Sequence, residues 1–249
     1  MMVGNLLIGC AGWSIPFSQR DQLPGEDSHL ERYARHFNAV EIVSSFHRPH
    51  RKSTYARWAA SVEDSFRFSV KIPQEISHEA RLRGTGHLLE EFLSECTRLG
   101  DRLGCLLLEL PPTLHYDPAI VGSFFEQLRR MVDVPVACEP RHVSWFNDDV
   151  DQQLASFRVS LVASNPDALH SGRGKSHGGW TEIAYIRLPG TPRVYSLQHD
   201  PFHLTQLADQ LRHLSQSRKT TWCIFDNTTL GTAIENAMEL TQLCRPTPL

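Results

Sequence analysis

Short apolar runs recur along the chain about every thirty residues, and helical periodicity follows most of them. The runs are rich in Val, Ile, Leu and Phe, which is typical of strands buried on both faces. We predict eight strands from this pattern, at Leu6–Cys10, Ala39–Ser45, Phe66–Ile72, Cys105–Leu110, Val134–Cys138, Val159–Ala163, Ile183–Leu188 and Trp222–Phe225.

The alternation of strands and helices predicts the fold class. Such strands pair in parallel through right-handed crossovers, and eight units in 249 residues favour a closed barrel. An open doubly wound sheet is the alternative, but the turn Gly9–Gly12 lacks the third glycine and the acidic residue of a dinucleotide-binding fingerprint. We therefore expect an α/β protein with a (β/α)8 TIM-type barrel, as a single domain over residues 1–249.

Charged residues occupy only one of the two alternating faces of five predicted strands. The face that packs against helices must be apolar, so we expect the charges to point into the barrel. Most lie near the carboxyl ends of the strands, where barrel enzymes bind ligands. The predicted inward set is Glu41, Lys71, Glu109, Glu139, Arg141 and Arg187, with Asn227 directly after the eighth strand.

The stretch Val136–Trp145, with the sequence VACEPRHVSW, carries the densest group of these residues. An apolar strand is followed there by Glu139, Arg141, His142 and Trp145. Charges at the end of a buried strand are costly unless they find partners or open onto a solvent-lined mouth. The inward acids and bases could also neutralise one another in a structural ion-pair network, and this alternative stays open.

Composition narrows the range of functions. The formal net charge of −3 argues against a strongly electrostatic nucleic-acid binder, although a local basic mouth remains compatible with it. Six scattered cysteines without a CxxC pair favour reduced thiols and a cytoplasmic location. No apolar window approaches about 20 residues, so we expect no membrane span.

Several motifs follow one another through nearly the whole chain, namely IGCAGWS, AVEIVSSFHRP, FSVKIPQEISH, GCLLLELPP, CEPRHVSW, YIRLPG and IFDNTTLGTAIENA. In this order they resemble the YecE-like family, domain of unknown function 72. The resemblance implies a TIM-type barrel, in agreement with the periodicity, and no established activity.

The sequence departs from the family pattern at four positions. His47 stands where Tyr is usual, and Pro189 replaces the His of an Arg-x-His-Gly motif. Glu109 replaces a Gln and Asp226 the first Asn of an Asn-Asn pair, and both changes add acid to the predicted mouth. If the family His is catalytic, the chemistry of this chain is altered at Pro189.

These residues suggest an enzyme that binds a small anionic ligand, such as a phosphorylated sugar, a nucleotide or a nucleic-acid backbone, without a metal or cofactor. Guanidinium groups match phosphate in a bidentate way, and carboxylates, Lys and His carry protons. We assign acid–base catalysis to Glu41, Lys71, Glu139 and His142. We assign substrate binding to Trp13, His78, Glu109, Arg141, Trp145, Arg187 and Asn227.

Three other functions remain open. A metal-dependent hydrolase or isomerase of the endonuclease-IV kind has candidate ligands, but Lys71 and Arg141 would repel a cation. A glycosidase could use the pair Glu109 and Glu139. A non-catalytic ligand or nucleic-acid binder could use the basic loop Arg48–Lys52, and the segment Asp167–Trp180 is a candidate lid. The sequence leaves the oligomeric state open.

Overall fold

The computed structural model describes residues 6–164, 178–189, 201–218, 220–226 and 232–245. Eight parallel strands form one sheet in the order β1-β8-β7-β6-β5-β4-β3-β2. Every predicted strand is present, with ends shifted by at most three residues. The strands are β1 (Leu6–Cys10), β2 (Ala39–Ile42), β3 (Arg67–Lys71), β4 (Leu103–Glu109), β5 (Val136–Glu139), β6 (Val159–Ala163), β7 (Ile183–Pro189) and β8 (Thr220–Asp226).

Seven α-helices lie within the described ranges and connect the strands. Ser28 caps the first through a capping box with Glu31, and Asp117 caps the fourth, in which Pro118 occupies a first-turn position. The helices are α1 (His29–Ala34), α2 (Lys52–Ala60), α3 (Gly86–Cys96), α4 (Pro118–Met131), α5 (Asp148–Ser156), α6 (Pro201–Ser217) and α7 (Ala233–Leu243).

The sheet closes between β1 and β2. Ala11 forms a parallel bridge with Glu41, and the Gly12 N–H donates to the Glu41 carbonyl at 2.9 Å. The predicted (β/α)8 barrel is therefore confirmed. The second strand is shorter than predicted because the chain turns into a 3-10 helix at Ser44–Phe46, where the Ser45 hydroxyl donates to the Lys71 carbonyl at 2.6 Å.

The apolar residues separate into two layers, as the alternation along the strands predicts. One layer lies between sheet and helices, and the other fills the barrel interior together with the inward charges. Inside, the Trp222 indole stacks on the Tyr185 ring with centroids 5.7 Å apart. Gly104 faces that indole so closely that a Cβ there would lie 2.8 Å from Trp222 Cζ2, so the interior requires glycine at this position.

All six cysteines are buried free thiols, in agreement with the sequence prediction. Burial raises the pKa of Cys10 and of Cys105 to about 12, so both thiols are protonated at neutral pH. Within the described ranges, no helix is long and apolar enough to cross a membrane.

Candidate functional site

The centre of the barrel mouth is the guanidinium of Arg187 on β7, which is 2% exposed. It donates to Glu41 through Nε at 3.2 Å and through Nη2 at 3.1 Å. Nη1 lies 3.3 Å from Glu139 Oε2 and 3.7 Å from Glu109 Oε2, and Nη2 lies 2.9 Å from Asp226 Oδ2. Carboxylates from four other strands thus surround one buried cation.

Glu41 is the innermost carboxylate of this group and is fully buried. Besides Arg187, it accepts a hydrogen bond from the Tyr185 hydroxyl at 2.8 Å. Tyr185 also lies 3.0 Å from the Ser69 hydroxyl. The parity of the strands places these groups on the inner face, and the sequence analysis did not assign Tyr185 or Ser69 to the site. Neither hydroxyl carries a charge, so the pattern of charged residues that identified Glu41 and Arg187 did not select Tyr185 or Ser69.

An outer layer of charge lies above this centre. Lys71 Nζ contacts Glu109 Oε2 at 2.8 Å; Lys71 is buried, and Glu109 is partly buried. Arg141 Nη2 lies 3.3 Å from Glu139 and 3.7 Å from Glu109, and 44% of its side chain is exposed. Arg141 therefore covers two carboxylates from the solvent side. The structure brings together all six charged residues of the predicted inward set.

Glu109 and Glu139 end neighbouring strands and are directly paired in the β4–β5 register. Burial raises the pKa of Glu109, but Lys71, Arg141 and Arg187 outweigh it and hold that pKa below its ordinary value of 4.5. For Glu139 burial prevails over Arg187 and Arg141, and its pKa lies above 4.5. The pKa values of the two groups are thus shifted in opposite directions.

Asp226 completes the network and was not among the predicted site residues. It ends β8, and burial raises its pKa above the ordinary 3.8 although Arg187 counteracts this. The sequence does mark Asp226 as a departure from the family pattern, in which an Asn is usual at this position. With Asp226 the described network contains four carboxylates and three cations, and Glu139 and Asp226 are the carboxyl groups whose pKa is raised.

An aromatic ring supports the Lys71 side of the network. Lys71 Nζ lies 4.0 Å from the centroid of the Phe46 ring, a cation–π contact. The same ring packs edge-to-face with His47 at 4.9 Å and with His78 at 5.0 Å. Burial lowers the pKa of His78, with an opposing contribution from Glu109, so this imidazole is neutral at pH 7. His78 therefore borders the network, in a one-turn π-helix at Glu75–Glu79.

Two residues of the stretch 136–145 lie apart from the charged centre. The Trp145 ring is fully buried, and its Nε1 donates to the Leu114 carbonyl at 2.9 Å. The predicted substrate-binding role of Trp145 is therefore wrong, because no face of the indole is open to solvent. His142 accepts from the Ser144 N–H at 3.2 Å and lies against the His115 ring at 3.8 Å.

The other predicted site residues lie in different places. Trp13 lines a cleft beside the mouth, where it packs edge-to-face on Trp58 at 4.9 Å. Asn227 lies outside the described residues, as does the candidate lid up to residue 177. The last part of that segment is ordered against β6, since Trp180 N–H donates to the Val159 carbonyl at 2.8 Å.

The geometry of the described residues does not supply the metal ligands that a metal-dependent hydrolase or isomerase would need. Among the residues that the structure describes, no three His, Cys, Asp or Glu side chains are grouped so that they could hold a metal ion. The carboxylates of the mouth face Arg187, Lys71 and Arg141 instead, and these cations occupy the positions between them.

The sequence is similar to that of known proteins along nearly its whole length. A family model described as "Protein of unknown function DUF72" matches residues 7–248. The UPF0759 protein YecE of Escherichia coli K12 is 38% identical over 177 residues, which are 69% of this chain and 63% of that protein. The match thus spans somewhat less than two thirds of YecE. The UPF0759 protein YunF of Bacillus subtilis is 22% identical over 96% of this chain and 94% of its own length.

A solved structure supports the fold independently. The DUF72 family protein EF0366 of Enterococcus faecalis superposes with a TM-score of 0.77 at 20% identity, covering 98% of this chain and 99% of that one. Similarity at this level of identity concerns the fold alone. Together with the family model, which covers almost the full length, it confirms the resemblance seen in the motifs. The chain belongs to the DUF72 family and has its eight-stranded barrel.

Proposed function

We propose that the protein is an acid–base enzyme that binds a small anionic substrate at the carboxyl-end mouth of its barrel. Glu139 carries the transferred proton, and Glu109 stays ionised beside it. Arg141 and Lys71 contact the anionic group of the substrate. Arg187 and Glu41 lie beneath them and hold the reacting carboxylates in place, so neither is a direct substrate ligand in this proposal.

The observation that carries the proposal is the difference in pKa between two adjacent carboxyl groups. Glu109 and Glu139 are in register on neighbouring strands, yet the pKa of the first is lowered and that of the second is raised. Pairs of titratable groups whose environments separate their pKa values are typical of acid–base sites. A purely structural ion-pair network gains no stability from a carboxyl group whose pKa burial has raised.

The exposure of the cations supports an anionic substrate. Arg187 is buried among carboxylates, so its guanidinium has no free edge for a ligand. Arg141 instead projects from the mouth with 44% of its side chain exposed. An anion that approaches from solvent meets this guanidinium first, and it can displace the longer of its contacts, the one to Glu109 at 3.7 Å.

The proposal is tested by searching for turnover. Wild-type protein is incubated with a mixture of sugar phosphates, nucleoside monophosphates and neutral glycosides, followed by phosphorus NMR and mass spectrometry. We expect consumption of a phosphorylated compound, and a loss of about 100-fold or more in kcat for Glu139→Gln, because a positioned proton donor contributes about that factor. Arg141→Gln is expected to raise KM more than it lowers kcat.

A matched control separates chemistry from general charge effects. Glu126→Gln changes an exposed carboxylate of α4 and is expected to keep wild-type rates. Equal turnover by wild type and Glu139→Gln would refute the role of Glu139. Consumption of a neutral glycoside, with all phosphorylated compounds unchanged, would replace the anionic substrate by a sugar.

A further inference from the structure

A second recess opens beside the mouth, where β1, β2 and β8 end. It has a volume of about 550 Å³, within the range of small-molecule sites. Its floor is apolar and includes Cys10, Ile42 and Phe225, with Ile234 from the first turn of α7. None of these residues belongs to the charged network, so the recess is a separate feature of the barrel face.

Aromatic rings form one side of this recess. Trp13 and Trp58 meet edge-to-face, with centroids 4.9 Å apart and planes at 79°. His50 packs on Trp58 at 5.1 Å and holds its Nε2 2.8 Å from the Ser44 hydroxyl. Both indoles are only partly buried and line the cavity. Indole rings fixed by their edges offer their remaining surface to a flat ligand.

A cation lies at the same recess. Arg48 lines it and is exposed, and none of the ion pairs between described residues involves it. Beside it, His50 has a pKa below its ordinary value, because of burial and of the nearby Arg48 charge, and is neutral at pH 7. Arg48 is therefore the positive charge of the recess. A cavity with indole walls and one exposed guanidinium matches a planar ring that carries a negative group.

We propose that this recess is a binding site for a planar aromatic ring bearing a phosphate or carboxylate, with Trp13 and Trp58 against the ring and Arg48 on the anionic group. Nucleoside monophosphates and simple aryl phosphates share this chemistry. The assignment goes beyond the acid–base proposal and does not depend on it, since it concerns binding at residues that the proton transfer does not use.

Calorimetric titration of the full chain tests the assignment with four probes. Adenosine monophosphate and phenyl phosphate carry both ring and charge, adenosine lacks the charge, and ribose 5-phosphate lacks the aromatic ring. We expect at least one of the first two to bind about tenfold more tightly than both adenosine and ribose 5-phosphate, because stacking and a charged contact each contribute at about this level. If adenosine monophosphate binds more tightly than phenyl phosphate, the recess is a nucleotide site. If the two bind equally well, it is a site for aryl anions.

Variants locate the binding. Arg48→Gln and Trp58→Ala are each expected to weaken binding of the preferred probe about tenfold, and Trp58→Phe, which keeps a ring, to weaken it less. Arg57→Gln, which changes an exposed arginine of α2 outside the described lining of the recess, should leave it unchanged. Binding that is lost in Arg141→Gln and kept in Arg48→Gln would overturn the assignment and place the anion at the mouth. Absence of binding by both ring-bearing anions would also overturn it, whatever the outcome of the turnover experiment.

Discussion

Arg187 links five strands of the barrel through a single side chain. Its contacts reach carboxylates on β2, β4, β5 and β8, and it is itself part of β7. Burial alone would lower its pKa, but Glu41, Glu139 and Asp226 together raise it, so the guanidinium is charged at every accessible pH. Buried carboxylates that lose such a cation are left unpaired, which costs more than the pair contributes.

Replacement of Arg187 is therefore expected to be strongly destabilising. Arg187→Gln should lower the free energy of unfolding by about 3–5 kcal/mol, measured by urea denaturation, because Glu41 and Glu139 stay buried without their partner. Arg130→Gln removes an exposed guanidinium that pairs with Glu126 on α4 and should cost about 0.5 kcal/mol or less. Equal losses in the two variants would contradict the central position of Arg187.

Glu109 gives a pH dependence whose sign follows from its lowered pKa. A carboxyl group with a lower pKa in the folded state stabilises the protein above its unfolded pKa, and this stability is lost as the pH falls through the folded value. We expect Glu109→Gln to be less stable than wild type at pH 7, and the difference to shrink as the pH falls from about 4.5 through the folded pKa of Glu109. Paired urea denaturation curves across that window measure it. A stability difference that grows as the pH falls would contradict a lowered pKa for Glu109.

At the scale of elements, strand parity positions the site. The inward charges lie at or near the carboxyl ends of strands whose alternate residues pack under helices, so the sequence alone predicted which charges converge. The contacts within the mouth could not be predicted in this way. They depend on the stagger of the strands, which places Glu109 opposite Glu139 and Pro189 opposite Asp226. A sequence pattern defines faces but not this register.

Interior packing gives a prediction for β4. A Cβ at Gly104 would lie 2.8 Å from the Trp222 indole, which is 1% exposed and stacked on Tyr185. Gly104→Ala should therefore destabilise the protein by about 1–3 kcal/mol through overpacking. The double variant Gly104→Ala with Trp222→Phe removes the clashing ring edge and should recover part of the loss, as a double-mutant cycle would show. Additive losses would contradict a direct clash.

For the whole molecule, the sequence predicted the barrel, the eight strands and six members of the charged network. The sequence pattern did not predict the place of two kinds of residue. Trp145 stands beside the charges in sequence but turns outward into the helix layer, since neighbours along a chain need not share a face. Tyr185 contacts Glu41 and Ser69, which are more than a hundred residues away in sequence, and Asp226 contacts Arg187 on the neighbouring strand β7.

The central claim is that the pKa values of two adjacent carboxyl groups at the mouth are shifted in opposite directions. Carbon-13 NMR of side-chain-labelled glutamates, with Glu109→Gln and Glu139→Gln used for assignment, follows both groups in one pH titration. The account predicts that Glu139 titrates above 4.5 and Glu109 below it. Coincident titration of the two resonances, or a reversed order, would contradict the account, and the mouth would then be a structural ion-pair network.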